Sequence, residues 1–159
     1  MLTIRSATVA DAALIRQLIW ELADFEKAPD QVQTTEDEIA RAGFGANPQF
    51  RALIAEWHGQ PAGFALFFDH YSTWKGSGLY LEDLFIRSDF RGHGIGTALF
   101  ARIANIAARE DRSFIKLSVL NWNQNAIAMY KALGGEFLDE WRDVLLIGDD
   151  LRKLAEKDS

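Results

Sequence analysis

The segment Arg91-Gly92-His93-Gly94-Ile95-Gly96-Thr97 limits the folds open to this chain more than any other, because it links a strand-like run to a helix-like run through three glycines. Before it, Leu79-Tyr80-Leu81-Glu82-Asp83-Leu84-Phe85-Ile86 is apolar enough for a central strand. After it, Leu99, Phe100, Ile103, Ile106 and Ala107 recur at helical spacing on a run ending near Glu110. Such a turn leaves backbone N–H groups free at a helix start, where the dipole favours an anion, and Arg91 adds a fixed cation. The pattern predicts a loop that grips phosphate. A Walker loop would need Gly-Lys-Ser/Thr, and the spacing G-x-G-x-G is not the dinucleotide G-x-G-x-x-G. Asp111 also follows the helix instead of ending a second strand, which argues against a dinucleotide fold.

The rest of the chain supplies elements for a mixed α/β domain. Leu2–Arg5 reads as a strand, and Thr8 with Asp11 forms a capping box ahead of Leu14, Ile15, Leu18, Ile19 and Leu22, one apolar stripe of a helix. Thr35 and Glu38 repeat the capping pattern before a short second helix. Residues 51–57 and 62–68 predict a hairpin about His58-Gly59-Gln60-Pro61, and 69–78 a longer loop. Phe114–Val119 predicts a strand, Ala126–Leu133 a helix stopped by Gly134-Gly135, Trp141–Ile147 a last strand and Asp149–Lys157 a terminal helix. With 159 residues and no linker or repeat, one domain over 1–159 is expected.

Composition narrows the function. The absence of cysteine excludes disulfides, thiolate metal sites and cysteine nucleophiles, and it allows a cytoplasmic setting. A net charge of −6 has the wrong sign for nucleic-acid binding and suits a cationic small substrate. No apolar run approaches the ~20 residues of a membrane span, and no leader pattern opens the chain. His58, His70 and His93 have no metal-ligand spacing, so no metal is expected.

The motif Arg91-Gly92-His93-Gly94-Ile95-Gly96 resembles the pyrophosphate loop of the GCN5-related N-acetyltransferases, Q/R-x-x-G-x-G/A. Asn121 through Gly134 resembles a later motif of that family. Within it, Glu21-Leu22-Ala23, Gly43-Phe44-Gly45, Tyr71-Ser72-Thr73-Trp74, Leu79–Asp83 and Trp122-Asn123 are most similar to the diamine and thialysine acetyltransferase branch. The resemblance covers essentially the whole chain. It implies a twisted, mostly antiparallel sheet with helices on both faces, splayed in the middle to admit acetyl-CoA, and a homodimer. It further implies that backbone groups of Leu84, Phe85 and Ile86 meet the pantetheine. Arg91, Gly92, His93, Gly94, Ile95, Gly96 and Thr97 would cradle the pyrophosphate, and Asn123 and Lys131 would add cofactor contacts. Asn123 serves equally as a helix cap.

Acetyl transfer to an amine needs a proton acceptor for the ammonium and a donor for the leaving thiolate. Glu82 and Tyr130 fit those roles: burial can raise a carboxyl toward neutrality, and a phenol can stabilise a developing thiolate. The structural alternatives are an arginine partner for Glu82 and core packing for Tyr130. Asp83, Glu26, Asp24, Trp74 and Trp141 are the candidates for binding an alkyl ammonium, since acids and aromatic faces both attract cations. Ordinary surface charge and core or interface packing are the alternatives for these. Ser72-Thr73-Trp74 stands where polyamine acetylators of the family carry an acid, which favours a short primary amine: thialysine, a lysine analogue or a small diamine. Two other readings stay open, a protein or peptide N-acetyltransferase and a non-catalytic acyl-CoA-binding or polyamine-sensing module.

Overall fold

The structure, a computed structural model, describes residues 1–158, and the chain divides into two compact units that meet in sequence between Asn123 and Gln124. The first unit contains β1 (Leu2–Ser6), α1 (Ala12–Phe25), α2 (Glu36–Phe44), β2 (Arg51–Trp57), β3 (Gln60–Ser72), β4 (Gly76–Ile86), α3 (Ile95–Arg109) and β5 (Ile115–Leu117). The second contains α4 (Gln124–Ala132) and α5 (Gly148–Ala155). The five strands form one sheet in sequence order, antiparallel from β1 to β4, with β5 parallel to β4.

Strand alternation puts a core on each face of the sheet. Leu53, Ala55, Ala65, Phe67, Leu79 and Leu81 pack against Ile95, Leu99 and Ile103 of α3. Ala52, Ile54, Phe64, Leu66 and Phe85 pack against Ile15 and Leu18 of α1 and Ile39 of α2. The stripe expected on α1 is therefore the one that is buried, with Leu14, Ile19 and Leu22 packed at its margin. Both caps form: Thr8 N–H donates to Asp11 Oδ2 at 2.8 Å, and Glu38 N–H donates to Thr35 Oγ1 at 3.1 Å. Arg5 grips Asp11 through two bonds of 2.8 and 2.9 Å, which lowers the Asp11 carboxyl pKa.

Three expectations are corrected. The β2–β3 turn is two residues long, His58 and Gly59 with φ of 49° and 81°, as a tight primed hairpin turn requires. Pro61 then lies inside β3, where a register shift near Ala55 and Glu56 accommodates its missing donor. The loop expected over 69–78 is mostly strand, with Asp69↔Leu79, His70↔Gly78, Tyr71↔Ser77 and Ser72↔Gly76 in register. Its tip is tied by Ser72 Oγ, which accepts from Trp74 and Lys75 N–H at 3.2 and 3.1 Å. The strand expected over Trp141–Ile147 does not form: the segment is in neither helix nor strand, because alternation alone provides no edge to pair with. Val144 and Leu145 there are 93% and 80% exposed.

Candidate functional site

Two features of β4 create the site. The first is divergence. β4 and β5 pair only through Leu79↔Ile115, Tyr80↔Lys116 and Leu81↔Leu117, while β4 stays paired with β3 as far as Gly63↔Ile86. From Glu82 to Ile86, β4 thus has an edge that β5 does not cover. The backbones of Leu84, Phe85 and Ile86, expected to meet pantetheine, lie on this stretch.

The second is a bulge. Phe67 pairs with Leu81 and Leu66 with Asp83, so Glu82 is an extra residue on β4. Leu79 and Leu81 face α3, and so do Leu84 and Ile86, whereas Phe85 faces α1. The alternation has slipped by one residue, and Glu82 and Asp83 are both left toward the α1 face. Glu82 is exposed and Asp83 half-buried. Burial, then the charges on Glu82 and Glu26, push the Asp83 carboxyl up from 3.8 to about 7. Glu26, half-buried at the end of α1, is raised by burial as well. Three acids thus converge with no cation among the charges acting on Asp83.

Beyond β4, Gly92 and Gly94 adopt φ of 85° and 74°, and Gly94 is the residue before α3. These left-handed values need glycine, and a Cβ at either position would meet nothing within 4 Å, so the loop is open on its outer side. The first N–H groups of the 15-residue α3 have no acceptor within the helix, and Ala98 N–H donates to Gly94 O at 3.0 Å. Open edge and loop together fit a long thiol ester with a diphosphate. Ile95 is buried and Thr97 exposed, while His93 stacks flat on Trp57 with ring centres 4.5 Å apart. Arg91 folds back from the loop: its Nε donates to Ile86 O at 3.1 Å, and its guanidinium lies 4.8 Å from the Phe25 ring and 5.8 Å from the Phe85 ring. A cleft of about 370 Å³ lies beside it, lined in part by Glu21, Asp24, Phe85 and Arg87. Arg87 is held by Glu21 through bonds of 2.9 and 2.8 Å, which fixes α1 against the end of β4.

Sequence reasoning missed Phe25, whose ring contacts Phe85 on β4 at 6.4 Å and Trp122 beyond β5 at 6.1 Å. Its only signal was an aromatic at the end of the α1 stripe. Asp24 is exposed near these residues. Trp74 is not brought to the acids: it is 84% exposed at the β3–β4 tip, and Gly76 lies six residues from Glu82, about 20 Å along a strand. Asn123 is half-buried in a turn where its N–H donates to Leu120 O at 3.0 Å. In the second unit, Tyr130 is buried on α4 and its phenol is pushed from 10.0 to about 12 by burial. Lys131 is exposed on the same helix, 5.5 Å from the Phe137 ring, and Trp141 is 69% exposed. Among the described residues there is no cluster arranged to hold a metal ion, and no helix is long and apolar enough to cross a membrane.

A mixed sheet opened beside a central strand, with a glycine loop leading into the next helix, defines an acyltransferase architecture. Residues 14–134 match the acetyltransferase (GNAT) family, and the chain belongs to it. It is an enzyme of the acyltransferase class, and members of the family use acetyl-CoA. It is 38% identical over 165 residues to thialysine N-epsilon-acetyltransferase of Bos taurus, covering 97% of each chain. The enzyme of that name from Mus musculus is 38% identical over 163 residues, covering 96% of each chain. Among solved structures, an integron cassette protein from the mobile metagenome of V. cholerae superposes with a TM-score of 0.80 at 24% identity, covering 98% of both chains.

Proposed function

We propose that the chain acts as one N-acetyltransferase domain that moves the acetyl group of acetyl-CoA directly to the primary amine of a small cationic substrate in a ternary complex. The carrying observation is the bulge that turns Glu82 and Asp83 to one face beside Glu26, at the point where β4 and β5 part. An uncompensated acid cluster attracts an ammonium ion, and a carboxyl titrating near neutrality beside it can exchange a proton with that ion. The two thialysine enzymes at 38% identity favour thialysine, a lysine-like amine or a short diamine as acceptor.

When bound, acetyl-CoA supplies the reactive thioester. Gly92 to Thr97 would hold its diphosphate on the N–H groups at the start of α3, with Arg91 free to swing from Ile86 O toward it. The open edge from Leu84 to Ile86 would bond the pantetheine, and Asn123 and Lys131 would add contacts. Glu82 would take the amine proton, directly or by way of the neighbouring Asp83 carboxyl, Asp83 and Glu26 would hold the ammonium, and Tyr130, kept protonated by burial, would donate toward sulfur. Trp74 and Trp141 complete acceptor binding. Because Trp74 lies far along β4 from the acids of its own chain, it suits a homodimer in which the tip serves the neighbouring copy, and exposed Val144 and Leu145 supply apolar area for such an interface. A cytoplasmic setting accords with the cysteine-free sequence.

Thiol release from acetyl-CoA, followed with thialysine, lysine, putrescine, spermidine and a lysine peptide in parallel, tests the reading. Fastest turnover with thialysine or lysine is expected. Turnover on the peptide alone would move the assignment to protein acetylation, and silence on every acceptor would overturn it.

A further inference from the structure

The α1 face of the sheet continues past Glu82 into residues that neither hydrophobic core contains: Phe68 and His70 on β3, Tyr80 on β4 and Phe114 just before β5. The rings are half-buried and form a continuous set. Phe68 stacks on Tyr80 at 5.2 Å and 24°, His70 lies 5.6 Å from Tyr80, and Phe114 meets His70 edge-on at 5.8 Å. Gly78 is part of the construction, since a Cβ there would overlap the Phe114 ring, which seats on the strand backbone. Tyr80 is further fixed through its hydroxyl, 3.0 Å from Ser118 Oγ.

We propose that this aromatic shelf is a second part of the acceptor site and takes the aryl body of an arylalkylamine whose ammonium is held by Asp83 and Glu26 beside Glu82. Three observations lead there. Tyr80 and Glu82 are two residues apart on one face, about 6.6 Å along the strand, which suits an ammonium at the acids and a ring on the shelf across a two-carbon spacer. Aromatic surfaces stack favourably with a further ring. Lys116 pairs in register with Tyr80 and points to the same face, because Ile115 and Leu117 pack toward α3. Its charge opposes a second ammonium here, so the shelf selects a neutral ring over the far end of a diamine.

Turnover on such an acceptor rests on the acetyl-transfer reading, whereas binding does not. In the transfer the ammonium gives one proton to the acid pair, the nitrogen lone pair forms the N–C bond to the acyl carbon, and the C–S bond breaks. The nitrogen's second proton is lost as the amide forms, sulfur is protonated, and one proton per turnover reaches solvent.

The test compares phenethylamine, n-butylamine and putrescine on the full chain, first as ligands without acetyl-CoA by calorimetry and ring-proton saturation transfer, then as acceptors. Phenethylamine is expected to bind about ten-fold tighter than n-butylamine, and its kcat/KM relative to n-butylamine is expected to fall about ten-fold in Tyr80→Leu and in Phe68→Leu. Equal binding of the two amines, or a ratio unchanged in both variants, would overturn the shelf. Turnover of lysine-like amines with no aryl preference rejects the shelf and leaves the acetyl-transfer reading standing. Tight, ring-dependent binding without turnover of any amine supports the shelf and rejects that reading.

Discussion

Replacing Asp83 with Asn should stabilise the protein while impairing it, and the pH dependence of the gain identifies the cause. Burial beside Glu82 and Glu26 raises the Asp83 carboxyl from 3.8 to about 7. In the unfolded chain the group keeps its ordinary value, so from pH 3.8 to about 7 the native state binds this proton more tightly. Native stability therefore declines as pH rises through that window, and the whole cost of ionisation is present above it. At about 1.36 kcal/mol per pKa unit, that cost approaches ~4 kcal/mol, and relaxation around the charge leaves about 2–4 kcal/mol. Asp83→Asn keeps the shape and removes the charge. For a chain of this size the melting temperature should rise by on the order of 5–10 °C at pH 8 and hardly at all at pH 4. Calorimetric scans of both proteins at the two pH values measure this, and kcat/KM for lysine, expected to fall about 10–100-fold, measures the functional loss. Equal gains at pH 4 and pH 8 would show that Asp83 is not a strained buried acid, and a loss of stability at pH 8 would show that it has a favourable partner.

Tyr130→Phe should lower kcat about 100-fold while the affinity for CoA, read by calorimetry, stays within about two-fold. Because the phenol titrates at about 12, no loss of rate from this group is expected as pH climbs to 10. Gly78→Ala places a methyl group into the Phe114 ring and should cost about 1–3 kcal/mol in urea unfolding. Leu145→Glu, at a position 80% exposed, should leave the melting curve of a monomer unchanged but shift sedimentation toward the monomer if this segment joins two copies.

The parts of the site that depend on local chemistry were legible in the sequence. The glycine loop could be read because left-handed φ at Gly92 and Gly94 and free N–H groups at a helix start are properties of a few consecutive residues. The stripe on α1 and the caps at Thr8 and Thr35 are local in the same sense. What escaped depends on pairing. The tip from Asp69 to Gly78 is rich in turn-forming residues, yet the strands persist because the residues on either side of Thr73–Lys75 found partners across the ladder. Trp141–Ile147 has the composition of a strand and found none.

The bulge at Glu82 shows most clearly why pairing matters for function. In a regular strand Glu82 and Asp83 would point to opposite faces, one toward α3 and one toward α1, so residue spacing alone does not join them, and only the family resemblance assigned both to one site. The single unpaired residue between Leu66↔Asp83 and Phe67↔Leu81 turns both to the same side and simultaneously carries Leu84 and Ile86 back to the α3 core. The packing of the α3 face therefore stabilises the register that concentrates charge on the other face. A deletion of Glu82 alone would restore plain alternation without moving the register, because Leu81 and Asp83 would become consecutive opposite Phe67 and Leu66, with Leu84 and Ile86 still on the α3 face. By this reasoning the deletion, like Glu82→Gln, should keep the fold and lower turnover. Circular dichroism reads the fold of the two variants and thiol release their turnover, and an unfolded deletion variant would refute the reading of Glu82 as the extra residue of the bulge.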